Sequence, residues 1–131
     1  MKTNEELVAA ILKMRAFLPA KDFENSRRFY ECLGFQPTKI NEKSLEMRLG
    51  SASSAFSFFL QDFYVKELAE NLMMQVLVKD IDAWWNHIAR LALEKRFEVV
   101  PPRQPTLQPW GLRVAYVWDP SGILWHIASD E

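Results

Sequence analysis

Apolar positions change period several times along the chain, and the changes divide it into elements. Leu7, Val8, Ile11 and Leu12 recur at helical spacing behind Thr3 or Asn4, with Glu5 and Glu6 in the first turn. This predicts a short amphipathic helix over about residues 4–13 that packs on the body or on a second subunit. Residues 15–20 read as a strand ending at Pro19. Asp22 then caps a helix over Phe23–Leu33, Gly34 closes it, and Phe23, Phe29, Tyr30 and Leu33 form its buried stripe. A second strand is expected over 35–40, interrupted near Pro37, and a polar turn follows over 41–44. Residues 45–49 alternate cleanly, with Leu45, Met47 and Leu49 on one face and Glu46 and Arg48 on the other. A Gly-Ser loop leads to a fourth strand over 55–60, rich in phenylalanine.

The second half repeats the order. After a polar, helix-compatible connector over 62–71, a strand is expected over 72–78. A helix opened by Asp80 or Asp82 follows, running to about Lys95 through Ile81, Trp84, Trp85, Ile88, Leu91 and Ala92. A short strand over 97–100 precedes a proline-rich loop over 101–109, which is too poor in amide donors for a central strand. Two strands close the chain, over 112–118 and 123–128, joined by Asp119-Pro120-Ser121-Gly122. Pro120 presets φ in that turn, Gly122 accepts positive φ, and Asp119 and Ser121 can bond nearby amides. Lys21-Asp22 and Lys79-Asp80 open the two longer helices 58 positions apart, each after a strand. The repeat is architectural: strand, helix and three strands, twice. Each unit is expected to curl into half of a barrel-like sheet with its helix on the convex face, so that two units enclose one concave cavity.

Bulk properties narrow the functional classes. The length of 131 residues fits one domain or two small halves sharing a core. Net charge is −1 with no basic stripe, which speaks against nucleic acid as partner. No apolar run reaches a membrane-span length, and the polar, acidic start lacks signal-peptide character. Cys32 is the one cysteine, so neither an internal disulfide nor a thiolate cluster is expected, and the cytoplasm is the expected location. Five tryptophans and nine phenylalanines exceed what charge or turn chemistry demands. Such side chains fill cores and also line pockets for flat ligands.

Two stretches carry a family resemblance. The first is Lys21-Asp22-Phe23-Glu24-Asn25-Ser26-Arg27-Arg28-Phe29-Tyr30 with Leu33-Gly34-Phe35. The second is Trp110-Gly111-Leu112-Arg113 with Asp119-Pro120-Ser121-Gly122. Together with the paired units they resemble the vicinal oxygen chelate superfamily of glyoxalases, bleomycin-resistance proteins and dihydroxybiphenyl dioxygenases, over about residues 14–129. The resemblance implies an α+β fold of paired βαβββ modules forming a curved, half-barrel mixed sheet, and a homodimer. It also implies a single domain over 1–131: an N-terminal helix at about 4–13, module one at 14–61, a connector at 62–71 and module two at 72–129. The superfamily's enzymes hold a divalent metal at four inward strand positions. These fall here on Arg15, near Phe58, on Met73 or Met74, and on His126. Only His126 is a usual ligand. The resemblance is therefore to the metal-free bleomycin-resistance-like branch, with no cofactor and no metal expected. Phe56 to Asp62, Asn71 to Met74 and Asp82 to Trp85 also look like that branch.

The expected ligand-binding residues are Arg15, Glu46, Arg48, Phe56, Phe58, Gln75, Trp110, Arg113 and His126. Apolar residues of the third strand must meet the helices, which turns Glu46 and Arg48 into the cavity. Leu112, Val114 and Tyr116 are assigned the same packing role, which turns Arg113 inward, and Arg15 and Gln75 share that parity. Trp110 is expected at the cavity mouth. Glu46 is expected either to pair with Arg48 or Arg113 or to meet ligand. His87 reads as a solvated helix residue. The leading reading is a small-molecule binder acting by sequestration of a drug or metabolite. The excess of inward arginines favours an anionic or neutral ligand over a cation such as bleomycin. The alternatives are a lyase, isomerase or dioxygenase-like enzyme using His126 or Glu46 at an atypical or metal-free site, and a regulatory protein with a vestigial cavity.

Overall fold

The structure is a computed structural model describing residues 1–131. It is an α+β fold of two four-stranded mixed sheets, both unclosed and curved. Module one comprises β1 (Phe17–Pro19), α2 (Phe23–Leu33), β2 (Gln36–Asn41), β3 (Ser44–Arg48) and β4 (Ser57–Gln61), preceded by α1 (Asn4–Ala9). A one-turn helix, α3 (Lys66–Ala69), leads to module two. That module holds β5 (Met73–Leu77), α4 (Ile81–Arg90), α5 (Leu93–Phe97), β6 (Arg103–Leu107), β7 (Arg113–Trp118) and β8 (Leu124–Ser129). Strand order is β1-β4-β3-β2 in one sheet and β5-β8-β7-β6 in the other. In each, the first strand runs parallel to the last and the remaining pairs are antiparallel. The architectural repeat is therefore real, strand for strand.

The two helix caps are equivalent in chemistry as well as position. Asp22 accepts the Asn25 amide at 3.1 Å, and Asp80 accepts that of Ala83 at 3.0 Å, each satisfying a first-turn donor that lacks an intrahelical partner. Gly34 ends α2 at φ 118°, a conformation that disfavours any side chain.

Several expectations are corrected. The N-terminal helix stops at Ala9, not near residue 13, and none of its residues is buried; Leu7 and Val8 are both more than half exposed. The helix expected to reach Lys95 ends at Arg90. Ala92 takes a left-handed conformation (φ 51°) and starts α5, so the turn reaims Leu93 and Phe97 into the core, Phe97 against Phe29. This replaces the strand expected over 97–100. The proline-rich stretch contains β6 after all. It is an edge strand, and its register shifts between Arg103 and Thr106, across Pro105, where a missing amide costs no ladder bond. β2 likewise runs through Pro37 because it is the outer strand of its sheet. His87 is not merely solvated: its Nε2 lies 3.1 Å from the Leu33 carbonyl and docks α4 on the C-terminal end of α2, where that carbonyl otherwise lacks a donor.

The helix-side faces of the two sheets share one core. Phe58 of β4 meets Trp125 of β8 at 5.5 Å between ring centroids, with Tyr30 and Phe35 completing an aromatic cluster. One polar network crosses it. The Tyr30 hydroxyl donates to Asp119 Oδ2 at 2.6 Å, and Trp125 Nε1 donates to that hydroxyl at 3.0 Å. Asp119 Oδ1 accepts the amides of Ser121 and Ile123, and Ser121 Oγ accepts the Lys21 amide at 2.9 Å. The two sequence stretches that carried the resemblance are thus bonded to each other across the modules. This arrangement overturns the single concave cavity. With the helix-side faces turned to a shared core, the other face of each sheet points away from it, and the two do not confront each other within the chain.

Candidate functional site

Between the modules lies a groove of about 820 Å³, within the usual range for small-molecule sites. One wall is Phe35, Leu49 and the β3–β4 loop with Phe56 and Phe58; the other is β5 with Trp84 of α4 and Trp125 of β8. Most of the lining is apolar. Its polar groups, Ser51, Ser54, Ser57 and Gln75, carry no formal charge. Phe56 stands 73 % exposed at the lip and Phe58 1 % exposed at the floor, so a flat guest would be met by one adaptable and one fixed ring. Of the nine expected ligand residues, Phe56, Phe58 and Gln75 line this groove. Phe58 does so from the helix side of its sheet, opposite to the inward parity assigned to it, since it pairs with Met47 in the core register.

Glu46 is the centre of the open face of the first sheet, as its alternation implied. Its Oε2 accepts Arg15 Nη1 at 2.8 Å, Lys13 Nζ at 3.1 Å and Ser57 Oγ at 3.1 Å. Within the chain Glu46 pairs with Lys13 and Arg15, and with neither Arg48 nor Arg113. Burial alone would raise its carboxyl, but the hydrogen bonds from Arg15, Lys13 and Ser57 outweigh burial and hold it below the usual range. Ionised and doubly paired, it is a poor general base. The Arg15 guanidinium lies 4.4 Å from the centre of the Phe59 ring, which in turn stacks on Phe17 at 4.8 Å. Arg48 shares this face but donates to Gly50 O, Gln36 Oε1 and Thr38 Oγ1 instead. Ser57 belongs to both places: it lines the groove and bonds Glu46.

His126 is on the open face of the second sheet, opposite Gln75 and Tyr116 in register. Its ring meets Tyr116 edge-on at 4.9 Å, and its buried Nε2 has no hydrogen-bond partner in the chain. Burial pushes the imidazole down, towards the neutral form. Glu46, on the other sheet's outward face, does not reach it.

Arg113 is corrected. It lies on the helix side of β7, alternating with Val114 and Tyr116, which take the open face with His126. Its Nη2 donates to Asp82 Oδ1 at 3.0 Å at the start of α4. It therefore fixes a helix at the surface rather than facing a cavity, and an exposed pair of this kind contributes little to stability. Trp110 is exposed in the turn before β7 and lines no part of the groove.

The superfamily's metal does not fit these residues. Arg15 is bound to Glu46, Phe58 is in the core, Met73 is a poor ligand for hard cations, and His126 is one donor alone; no three His, Cys, Asp or Glu side chains converge.

Sequence reasoning missed Lys13, Ser57, Trp84 and Trp125 as parts of the site. Lys13 lay inside an expected helix, and nothing local marked it. Ser57 had a signal, since it sits two residues from Phe59 on the same face as Glu46.

Comparison with known proteins places the fold. The model of the Glyoxalase/Bleomycin resistance protein/Dioxygenase superfamily matches residues 11–127. The bleomycin resistance determinant encoded on the transposon Tn5 has a TM-score of 0.74 and 21% identity, over 91% of this chain and 98% of that one. The bleomycin-binding protein of bleomycin-producing Streptomyces verticillus, complexed with copper(II)-bleomycin, has a TM-score of 0.73 and 22% identity, over 92% and 98%. TnmS3, an antibiotic binding protein from Streptomyces sp. CB03234, has a TM-score of 0.67 and 22% identity, over 93% and 98%. No protein of curated function matches the sequence significantly. No helix is long and apolar enough to cross a membrane. The chain belongs to the glyoxalase, bleomycin resistance protein and dioxygenase superfamily.

Proposed function

We propose that this chain is a single-domain, metal-free small-molecule binding protein. It sequesters an aromatic drug or metabolite unchanged, and it works in the cytoplasm as a homodimer. The observation that carries the reading is the groove: about 820 Å³, walled by Phe35, Phe56, Phe58, Trp84 and Trp125, with neutral polar groups at its edges. An apolar ring placed there leaves water, stacks on fixed aromatics and leaves no buried charge unpaired. Solved relatives of the same fold that bind bleomycin or another antibiotic support a binding role. The chemistry of the candidate bases points the same way. Glu46 is tied to two cations, and His126 has no acid or base beside it to share a proton. The dimer is supported by apolar side chains left uncovered on α1 and on both open faces, among them Leu7, Val8, Phe17, Met73 and Leu77.

The test is a titration of EDTA-dialysed protein with a neutral probe, 2-naphthylmethanol, followed by quenching of tryptophan fluorescence, since Trp84 and Trp125 line the groove. Saturable binding, recovery of the probe unchanged, and a light-scattering mass of twice 15.3 kDa are expected. Binding that appears only on addition of a divalent metal, or conversion of the probe, overturns the reading.

A further inference from the structure

Resting on that reading, the groove's rim narrows the ligand's chemistry. Ser57 is the junction: the residue is part of the groove's lining at the end of β4, while its hydroxyl, on the open face, donates to the same Glu46 oxygen that Lys13 and Arg15 hold. The two cationic heads therefore converge on one atom at the edge of an otherwise uncharged aromatic groove. They outnumber the carboxylate they share. Lys13 spends its other observed bond on the Ala52 carbonyl, at 3.4 Å, in the loop that forms one wall of the groove. Arg15 spends one N–H on Glu46 and holds its guanidinium over the Phe59 ring. An ammonium with three donors and a guanidinium with five are left with spare N–H groups on both. All three observed donors use Oε2 of Glu46 and none uses Oε1. Arg48, on the same face, adds a third positive charge and is held by neutral acceptors only.

We propose that this rim is an anion subsite. Lys13 and Arg15, beside Ser57, receive the acid group of a ligand whose apolar aromatic body lies in the groove, so the ligand class is aromatic acids: carboxylates, sulfonates or phenolates attached to a flat ring system. Glu46 positions the two cations and at the same time competes with the ligand's anion for them. The subsite therefore sets selectivity by charge, while the groove supplies the non-selective affinity.

Three probes with one aromatic body separate these contributions: 2-naphthoate, 2-naphthylmethanol and 2-naphthylmethylammonium, titrated calorimetrically at low salt. Affinity falls in that order. Lys13→Gln and Arg15→Gln each weaken 2-naphthoate about tenfold, the worth of one charge-assisted hydrogen bond, and leave 2-naphthylmethanol within about twofold. Glu46→Gln strengthens 2-naphthoate several-fold, because the competing anion is gone. Both cationic side chains are partly buried against Glu46, so each substitution is expected to lower the melting temperature somewhat, and retained 2-naphthylmethanol binding shows that the variant is folded. Tighter binding of the ammonium than of the carboxylate, or 2-naphthoate affinity indifferent to both substitutions, overturns the subsite while leaving a neutral-ligand groove intact. Failure of all three probes to bind removes the groove reading and the subsite with it.

Discussion

Replacing Asp119 by alanine is expected to lower the unfolding free energy by about 3 kcal/mol, read as a shift of the urea midpoint at constant slope. The residue is 2 % exposed and accepts the Tyr30 hydroxyl and the amides of Ser121 and Ile123. Alanine leaves these three donors buried without an acceptor. Asparagine keeps an oxygen for the two amides but turns an NH₂ on Tyr30, so a smaller loss, about 1–2 kcal/mol, is expected. The pH dependence has a definite sign. Burial raises the Asp119 carboxyl above its ordinary value, while the donors from Tyr30 and the turn amides act in opposition. The unfolded chain thus ionises at this position near pH 4 while the folded chain still holds its proton. Stability from this group is greatest below that pH and falls as pH rises through the folded value. The asparagine variant loses this part of the slope. A wild-type profile that the substitution does not flatten contradicts the assignment.

Phe58→Ala is the second large effect. The ring is fully enclosed by Tyr30, Phe35 and Trp125, at centroid distances of 4.8, 5.2 and 5.5 Å. Emptying such a position costs about 3–5 kcal/mol, through lost transfer energy and a cavity that neighbours fill incompletely. Because Phe58 also floors the groove, the variant widens the site, and a saturating aromatic probe should restore part of the lost stability by mass action. A loss below about 1 kcal/mol would mean that the modules do not share this core.

Much of this fold was legible because local chemistry agreed with tertiary structure. Asp22, Asp80, Gly34 and the Asp119–Gly122 turn each do locally what their residue types favour, and Leu45, Met47 and Leu49 take the core as their alternation implies. The readings failed where two patterns were equally apolar. In β7 the set Val114, Tyr116 and the set Ala115, Val117 both look like core, so parity could not choose, and Arg113 was assigned to the wrong face. Its long side chain reaches Asp82 at the start of α4, a partner that no hydropathy pattern encodes. In β4 phenylalanines stand at both parities, and an error of one residue exchanges Phe58 with Phe59 between the core and the open face. The break at Ala92 carries no glycine or proline to announce it. The relation between modules lies in the Tyr30, Asp119 and Trp125 contacts, whose partners are up to 95 positions apart; no short-range pattern contains it, and this is why one cavity was expected where there are two outward faces and a groove between the modules.

The measurement that bears most directly on the groove as the binding site is a calorimetric titration of 2-naphthylmethanol into wild type and Phe56→Ala. Phe56 stands at the lip and is largely exposed, so its removal should leave stability within about 0.5 kcal/mol. A groove that holds the ligand predicts one site per chain and an affinity about tenfold weaker in the variant, the worth of one aromatic contact. Equal affinity in the two proteins at equal stability would contradict it.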